Sequence, residues 1–98
     1  MASKTTELVE HKMYQSTLRD GARGVIQVDW DDTDVTLYGS LNGTTFVKIE
    51  QFSAPAIKEI ALTPYLMVGS ADAATKTLTE LESDQAFGNT EIYINETR

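Results

Sequence analysis

Short segments in which apolar and polar residues alternate occupy much of the chain. The clearest examples are residues 24–30 and 90–95, where every second residue is apolar. This period of two is typical of strands that are buried on one side only. The residues predicted to face inward are Ile26, Val28, Trp30, Ile92 and Ile94. We expect Trp30 to be a core residue whose indole N–H is hydrogen-bonded near the end of its strand.

Residues 35–52 form the strongest local pattern, because two β-rich runs flank Asn42-Gly43. This dipeptide tolerates the positive φ angles of a two-residue hairpin turn, so we predict an antiparallel hairpin with a two-residue turn. Alternation places Val35 and Leu37 on the core side. It places Thr36, Tyr38 and Ser40 on the side that faces water.

Further strands are predicted at residues 12–18, 56–62, 65–68 and 76–81, the third of them buried on both faces. Seven or eight short strands joined by turns are typical of an all-β antiparallel sandwich, which we expect to be jelly-roll-like. The first residues lack a clear pattern. We therefore divide the chain into an N-terminal arm, residues 1–14, and a single β-sandwich domain, residues 15–98.

Composition narrows the possible partners. The chain has 98 residues, a net charge of −7, eight Lys and Arg, and no cysteine. Nucleic-acid binding depends on clustered basic residues, so no nucleic-acid partner is expected. No apolar run approaches the length of a signal sequence or a membrane span, so no membrane partner is expected. Without cysteine, disulfides and thiolate metal sites are excluded.

An acidic run provides the only candidate metal site. Its members are Asp29, Asp31, Asp32 and Asp34. Several carboxylates close together suit calcium, but Asp34 occupies the position at which an EF-hand loop requires glycine. Aspartates between strands also act as ordinary turn formers that bond their own backbone. The turn interpretation is favoured, with calcium as the alternative.

No arrangement of residues indicates catalysis. His11 is the only histidine, and no nucleophile-elbow pattern accompanies it. The chain is therefore predicted not to be an enzyme and to require no cofactor. Tyr38 and Tyr93 are candidates for exposed aromatic residues that stack on sugars, although tyrosine is also a common strand residue.

The hairpin and the strand that follows it resemble known proteins. The segments VTLYGSLNGTTFVKI, from Val35, and IALTPYLMV, from Ile60, match a pattern of strands around Gly-Ser-x-(Asp/Asn)-Gly-Thr and Leu-x-Pro-(Tyr/Phe). This pattern resembles that of many small structural proteins of tailed bacteriophages. The same hairpin is similar to one in discoidin-type carbohydrate-binding β-sandwiches. The likeness covers about half of the chain, from Val25 to Val68.

The phage resemblance implies a capsid decoration, or cement, protein that binds the major capsid protein on the head exterior. Such proteins often form homotrimers, so other copies of this chain are expected partners. The expected location is the virion, which is assembled in the host cytoplasm. The N-terminal arm is the expected contact segment, through Leu8, Val9, Met13 and Tyr14. The alternative implied by the second resemblance is a carbohydrate-binding or tail-fibre adhesion module.

Overall fold

The computed structural model describes residues 3–16, 23–70, 72–84 and 86–97. Within these residues the chain forms short strands and one helix. In chain order they are β1 (Ser3–Glu7), β2 (Tyr14–Gln15), β3 (Arg23–Asp29), β4 (Val35–Ser40), β5 (Thr45–Phe52), β6 (Ala56–Ile60), β7 (Tyr65–Gly69), β8 (Thr75–Thr77), α1 (Leu78–Glu82) and β9 (Glu91–Thr97).

The strands form two antiparallel sheets. The first has the order β1-β9-β3-β6 and the second the order β2-β7-β4-β5-β8. The predicted all-β sandwich is therefore confirmed. Among the described residues, no helix is both long enough and apolar enough to cross a membrane.

The main core lies between the two sheets. Opposite residues on paired strands point to the same side, and the pairs Ile26–Ile94 and Val28–Ile92 supply the apolar side of the first sheet. Leu37 and Val68 form an equivalent pair in the second sheet. Phe52, Leu66 and Phe87 are further buried members of this core. Trp30 packs against this core but is only partly buried, so it is a border residue and not the central one predicted.

A second core covers the other face of the five-stranded sheet. It is formed by the buried residues Tyr38, Phe46, Met67 and Leu81, with Tyr65 and Leu78 at its edge. The prediction that Thr36, Tyr38 and Ser40 face water is therefore wrong, since all six residues of β4 are buried. The sequence pattern shows alternation but does not show that a later segment covers the polar side.

That covering segment contains β8 and α1, where a continuous strand over residues 76–81 was predicted. Thr77 caps the helix: its hydroxyl accepts a hydrogen bond from the Glu80 backbone N–H, and the Glu80 carboxylate accepts one from the Thr77 backbone N–H. This reciprocal capping box stabilises the helix N-terminus and ends the strand. A methyl group on Gly69 would lie 3.0 Å from Leu81 Cδ2, so α1 rests directly on β7.

A β-bulge in β5 distributes its aromatic residues between the two cores. Leu37 lies opposite Glu50, whereas Tyr38 lies opposite Lys48, so Ile49 is an extra residue. In a regular strand Phe46 and Phe52 would point to the same side because they are six residues apart. The bulge reverses the alternation, and Phe46 enters the second core while Phe52 enters the main core.

The N-terminal segment belongs to the sandwich. Residues 3–7, which the sequence predicts to be part of an arm, form edge strand β1 along β9. Its side chains are largely exposed, which explains the missing apolar pattern. The strand predicted at residues 12–18 is reduced to Tyr14–Gln15, and residues 17 and 18 lie outside the described residues.

The second core predicts a strong effect of truncation at Leu81. We expect Leu81→Ala to reduce the free energy of unfolding by about 2–5 kcal/mol, because it leaves a cavity beneath α1. Leu41→Ala is the matched control: Leu41 is 80% exposed, and its truncation should change stability by no more than about 0.5 kcal/mol. Urea unfolding of both variants tests this, and equal effects would contradict a second core.

Candidate binding surface

The hairpin joining β4 and β5 ends in a four-residue loop, residues 41–44, and not in the two-residue turn predicted. Gly43 has a φ of 77°, a value that glycine adopts without strain. Asn42 is not among the residues with positive φ, although a type I′ turn requires positive φ at both central positions. The predicted hairpin is confirmed, but its turn is wrong.

Two side chains, that of Ser40 before the loop and that of Asn42 within it, fix the shape of the loop. Ser40 Oγ accepts hydrogen bonds from the backbone N–H groups of Asn42 at 3.2 Å and Gly43 at 2.9 Å, and donates one to Asn42 Oδ1 at 3.0 Å. Asn42 Oδ1 also accepts from the backbone N–H groups of Thr44 at 2.9 Å and Thr45 at 3.0 Å. The amide oxygen thus satisfies backbone donors that the wider loop leaves unpaired.

An apolar groove of about 490 Å³ lies beside the loop. Leu41 and Val47 line it and are 80% and 53% exposed. Val47 lies opposite Gly39 and so points to the same side of the sheet as Leu37, which is in the main core. Its exposure shows that the first sheet does not cover this end of the hairpin. We call this surface, formed by Leu41, Val47, Ile49 and Thr63, the hairpin groove.

Backbone and ionic contacts hold the β5 wall of the hairpin groove. The backbone N–H of Lys48 donates to Ala74 O at 3.0 Å, and that of Leu78 donates to Thr44 O at 2.9 Å. Lys48 Nζ lies 2.8 Å from Asp72 Oδ1, and this hydrogen-bonded pairing raises the pKa of Lys48. Contacts within the chain itself therefore hold this wall in place.

The four residues predicted as partner contacts have different environments. Leu8 is 5% exposed and packs in the main core, which makes it unavailable to a partner and corrects that part of the prediction. Val9 and Met13 are 49% and 40% exposed. Val9 follows Leu8, whose backbone N–H donates to Ile92 O. Met13 directly precedes Tyr14, which pairs with Leu66 of β7.

Tyr14, the fourth predicted contact, anchors β2 inside the molecule. Its hydroxyl and that of Ser16 both donate hydrogen bonds to the Glu96 carboxylate, which is 0% exposed. Burial, together with the bond to Glu96, raises the pKa of Tyr14 to about 12. Glu96 is the next inward-facing position of β9 after Ile92 and Ile94. Extending the alternating pattern by two residues would therefore have predicted that Glu96 is buried.

The acidic run lies at the end of β3 and in the connection from β3 to β4. Asp34 accepts hydrogen bonds from the indole N–H of Trp30 at 3.1 Å and from Ser53 Oγ at 3.3 Å. The indole partner near the strand end is therefore confirmed. The structure does not gather Asp29, Asp31, Asp32 and Asp34 into a metal site: across the described ranges, no group of three or more His, Asp and Glu side chains is placed to hold a metal ion.

The two tyrosines considered for sugar stacking also differ. Tyr38 is 0% exposed in the second core, and its hydroxyl accepts from the Ala73 backbone N–H at 3.1 Å. It is therefore not an exposed stacking residue. Tyr93 is partly exposed on the outer face of the first sheet, where the negative charge of Glu91 raises its pKa.

Comparison with known proteins adds no assignment: no protein family, no curated protein and no solved structure matches the chain.

The buried cluster predicts a pH-dependent contribution of Tyr14. Tyr14→Phe should lower the free energy of unfolding by about 1–3 kcal/mol at pH 8, because the Glu96 carboxylate loses a donor. The folded-state pKa lies above the ordinary value of 10.0. The advantage of the wild type should therefore be complete below pH 10 and shrink as the pH rises towards 12.

Denaturant unfolding of both proteins at a series of pH values measures this difference. Glu96→Gln provides a second check, since it removes the charge but keeps an acceptor and should bring the pKa of Tyr14 back towards its ordinary value. A difference between wild type and Tyr14→Phe that stays constant through pH 12 would contradict the coupling.

Proposed function

We propose that this chain is a non-enzymatic structural protein of a tailed-phage particle, a decoration protein that binds the major capsid protein on the outer head surface. The observation that carries the proposal is the hairpin groove, because it combines exposed apolar side chains with a fixed loop. The phage-like sequence pattern lies on the same hairpin. The partners proposed are the capsid shell and other copies of this chain.

The hairpin groove has the properties of a recognition surface. Leu41 projects from a loop that five hydrogen bonds hold in place. A rigid apolar anchor loses little conformational entropy on binding, which favours affinity. A few residues buried at the centre of an interface supply most of its binding energy, and Leu41 is proposed to be one of them.

Edge strand β6 is the proposed contact between copies in a trimer. Among the described residues, no strand pairs with its outer side, and Ile57 is 68% exposed. Its charged residues are already paired, Lys58 with Glu50 at 3.3 Å and Glu59 with Arg23 at 3.1 Å. Local charge balance permits close approach despite the net charge of −7.

The second candidate function is a carbohydrate-binding or fibre adhesion module. Tyr93 supports it, since it stands on the outer sheet face in register with Gln27 on β3 and Glu7 on β1. A flat row of an aromatic and polar side chains suits a sugar ring. With Tyr38 buried, this face offers a single tyrosine from the pair considered, and the decoration function is favoured.

Co-sedimentation with capsid shells, assembled from the major capsid protein of the same genome, tests the proposal. Leu41→Asp should weaken shell binding by about 10–100-fold, the effect of losing one buried leucine contact. Asn89→Asp is a control of equal charge in an exposed loop away from the hairpin groove, and it should bind as the wild type does.

Light scattering of the same proteins separates shell binding from self-association. Ile57→Asp should reduce the trimer fraction, whereas Leu41→Asp should leave it unchanged. Failure of the wild type to bind shells, combined with retention on a glycan surface that Tyr93→Ala abolishes, would replace the decoration function with the carbohydrate-binding one.

A further inference from the structure

We infer that Asn42 is a modification site, at which the Gly43 backbone nitrogen displaces the side-chain amide, and that the Ser40 hydroxyl controls how often this reaction can occur. The inference concerns the covalent chemistry of the loop. It does not depend on the proposed function.

The reaction is spontaneous deamidation and needs only water. The Gly43 backbone nitrogen forms a bond to Asn42 Cγ and loses its proton to water. The bond between Cγ and Nδ2 breaks, Nδ2 takes up a proton from water and leaves as ammonia, and a five-membered succinimide remains. Water then opens either imide carbonyl. One opening gives aspartate, and the other gives isoaspartate, in which the main chain continues through the side-chain carbon.

The site is chemically favoured because the attacking nitrogen belongs to a glycine. A side chain on the following residue hinders attack, and glycine has none. Asn42 is exposed, so water and a proton acceptor reach it. The other asparagines in the described residues precede Thr90 and Glu96, whose side chains shield the attacking nitrogen.

In the folded loop, hydrogen bonds keep the Gly43 nitrogen and Asn42 Cγ in positions from which the attack cannot occur. The Gly43 N–H points to Ser40 Oγ at 2.9 Å, and this bond is buried. Three donors, from Ser40, Thr44 and Thr45, hold the Asn42 amide oxygen and thereby fix Cγ. Attack requires the loop to open, so the observed rate is the rate in the open loop multiplied by the open fraction.

The two products affect the loop differently. Aspartate keeps an oxygen where Asn42 Oδ1 accepts its three hydrogen bonds, and a carboxylate is the stronger acceptor. Isoaspartate adds a main-chain carbon between Ser40 and Gly43, which these hydrogen bonds cannot accommodate. Either product places a negative charge next to Leu41. If the hairpin groove binds a partner as proposed, the reaction alters that surface with age.

Peptide mapping by mass spectrometry, after incubation at neutral pH, measures the reaction on the full chain. We expect the peptide containing Asn42 to acquire the mass shift of amide-to-acid conversion as a mixture of aspartate and isoaspartate. Ser40→Ala removes the three hydrogen bonds of Ser40 Oγ. It should react at least about fivefold faster, since the loss of even one ordinary hydrogen bond, about 1 kcal/mol, changes the open fraction of the loop by that factor. Ser53→Ala, at a serine that bonds Asp34, is the matched control and should react at the wild-type rate.

Two further measurements keep the inference testable if Ser40→Ala fails to fold. The wild type should react more slowly when folded than in guanidinium chloride, where the loop contacts are absent. The Gly43 amide should also be protected from hydrogen exchange in the folded wild type. Equal rates in folded and unfolded wild type, equal rates in folded wild type and Ser40→Ala, or faster conversion at Asn89 than at Asn42 would overturn the inference.

Discussion

Burial of β4 on both faces is the constraint on which the rest of the structure depends. A strand of six buried residues needs a cover on each side of its sheet. The first sheet covers one side, and the segment that contains β8 and α1 covers the other. Tyr38 fits the second side because the Ala73 backbone N–H gives its hydroxyl a partner. The polar half of the β4 pattern is thus a second interface and not a water-facing surface.

The β-bulge at Ile49 links this doubly buried strand to the hairpin groove. It allows one strand to place Phe46 in one core and Phe52 in the other. Beyond the bulge, Val47 returns to the side that faces the first sheet, but at a position where that sheet has ended. The same irregularity that completes both cores therefore leaves an apolar side chain uncovered at the hairpin end. Packing inside the molecule and exposure at its end have a common cause.

The sequence predicted the parts of the fold that depend on local alternation, and missed those that depend on distant partners. Strands β3, β6, β7 and β9 follow from apolar spacing and turn residues. Strand β1 has no apolar face because it is an exposed edge, held by main-chain bonds to β9. The start of α1 was readable, since Thr77 and Glu80 have the spacing of a capping box. The hairpin groove could not be predicted from the sequence, because the exposure of Val47 depends on where the first sheet ends.

The residues of the hairpin loop meet two requirements that conflict chemically. The four-residue loop needs a glycine at position 43, where φ is 77°, and a short side chain with an oxygen at position 42 to accept the Thr44 and Thr45 N–H groups. Asparagine before glycine meets both needs, yet it is also the pair in which the backbone most readily attacks the side chain. Ser40 offsets this weakness, because its hydroxyl engages the attacking nitrogen. The Ser40 hydroxyl therefore helps to shape the loop and also restrains its chemistry, together with the Thr44 and Thr45 N–H groups that hold the Asn42 amide.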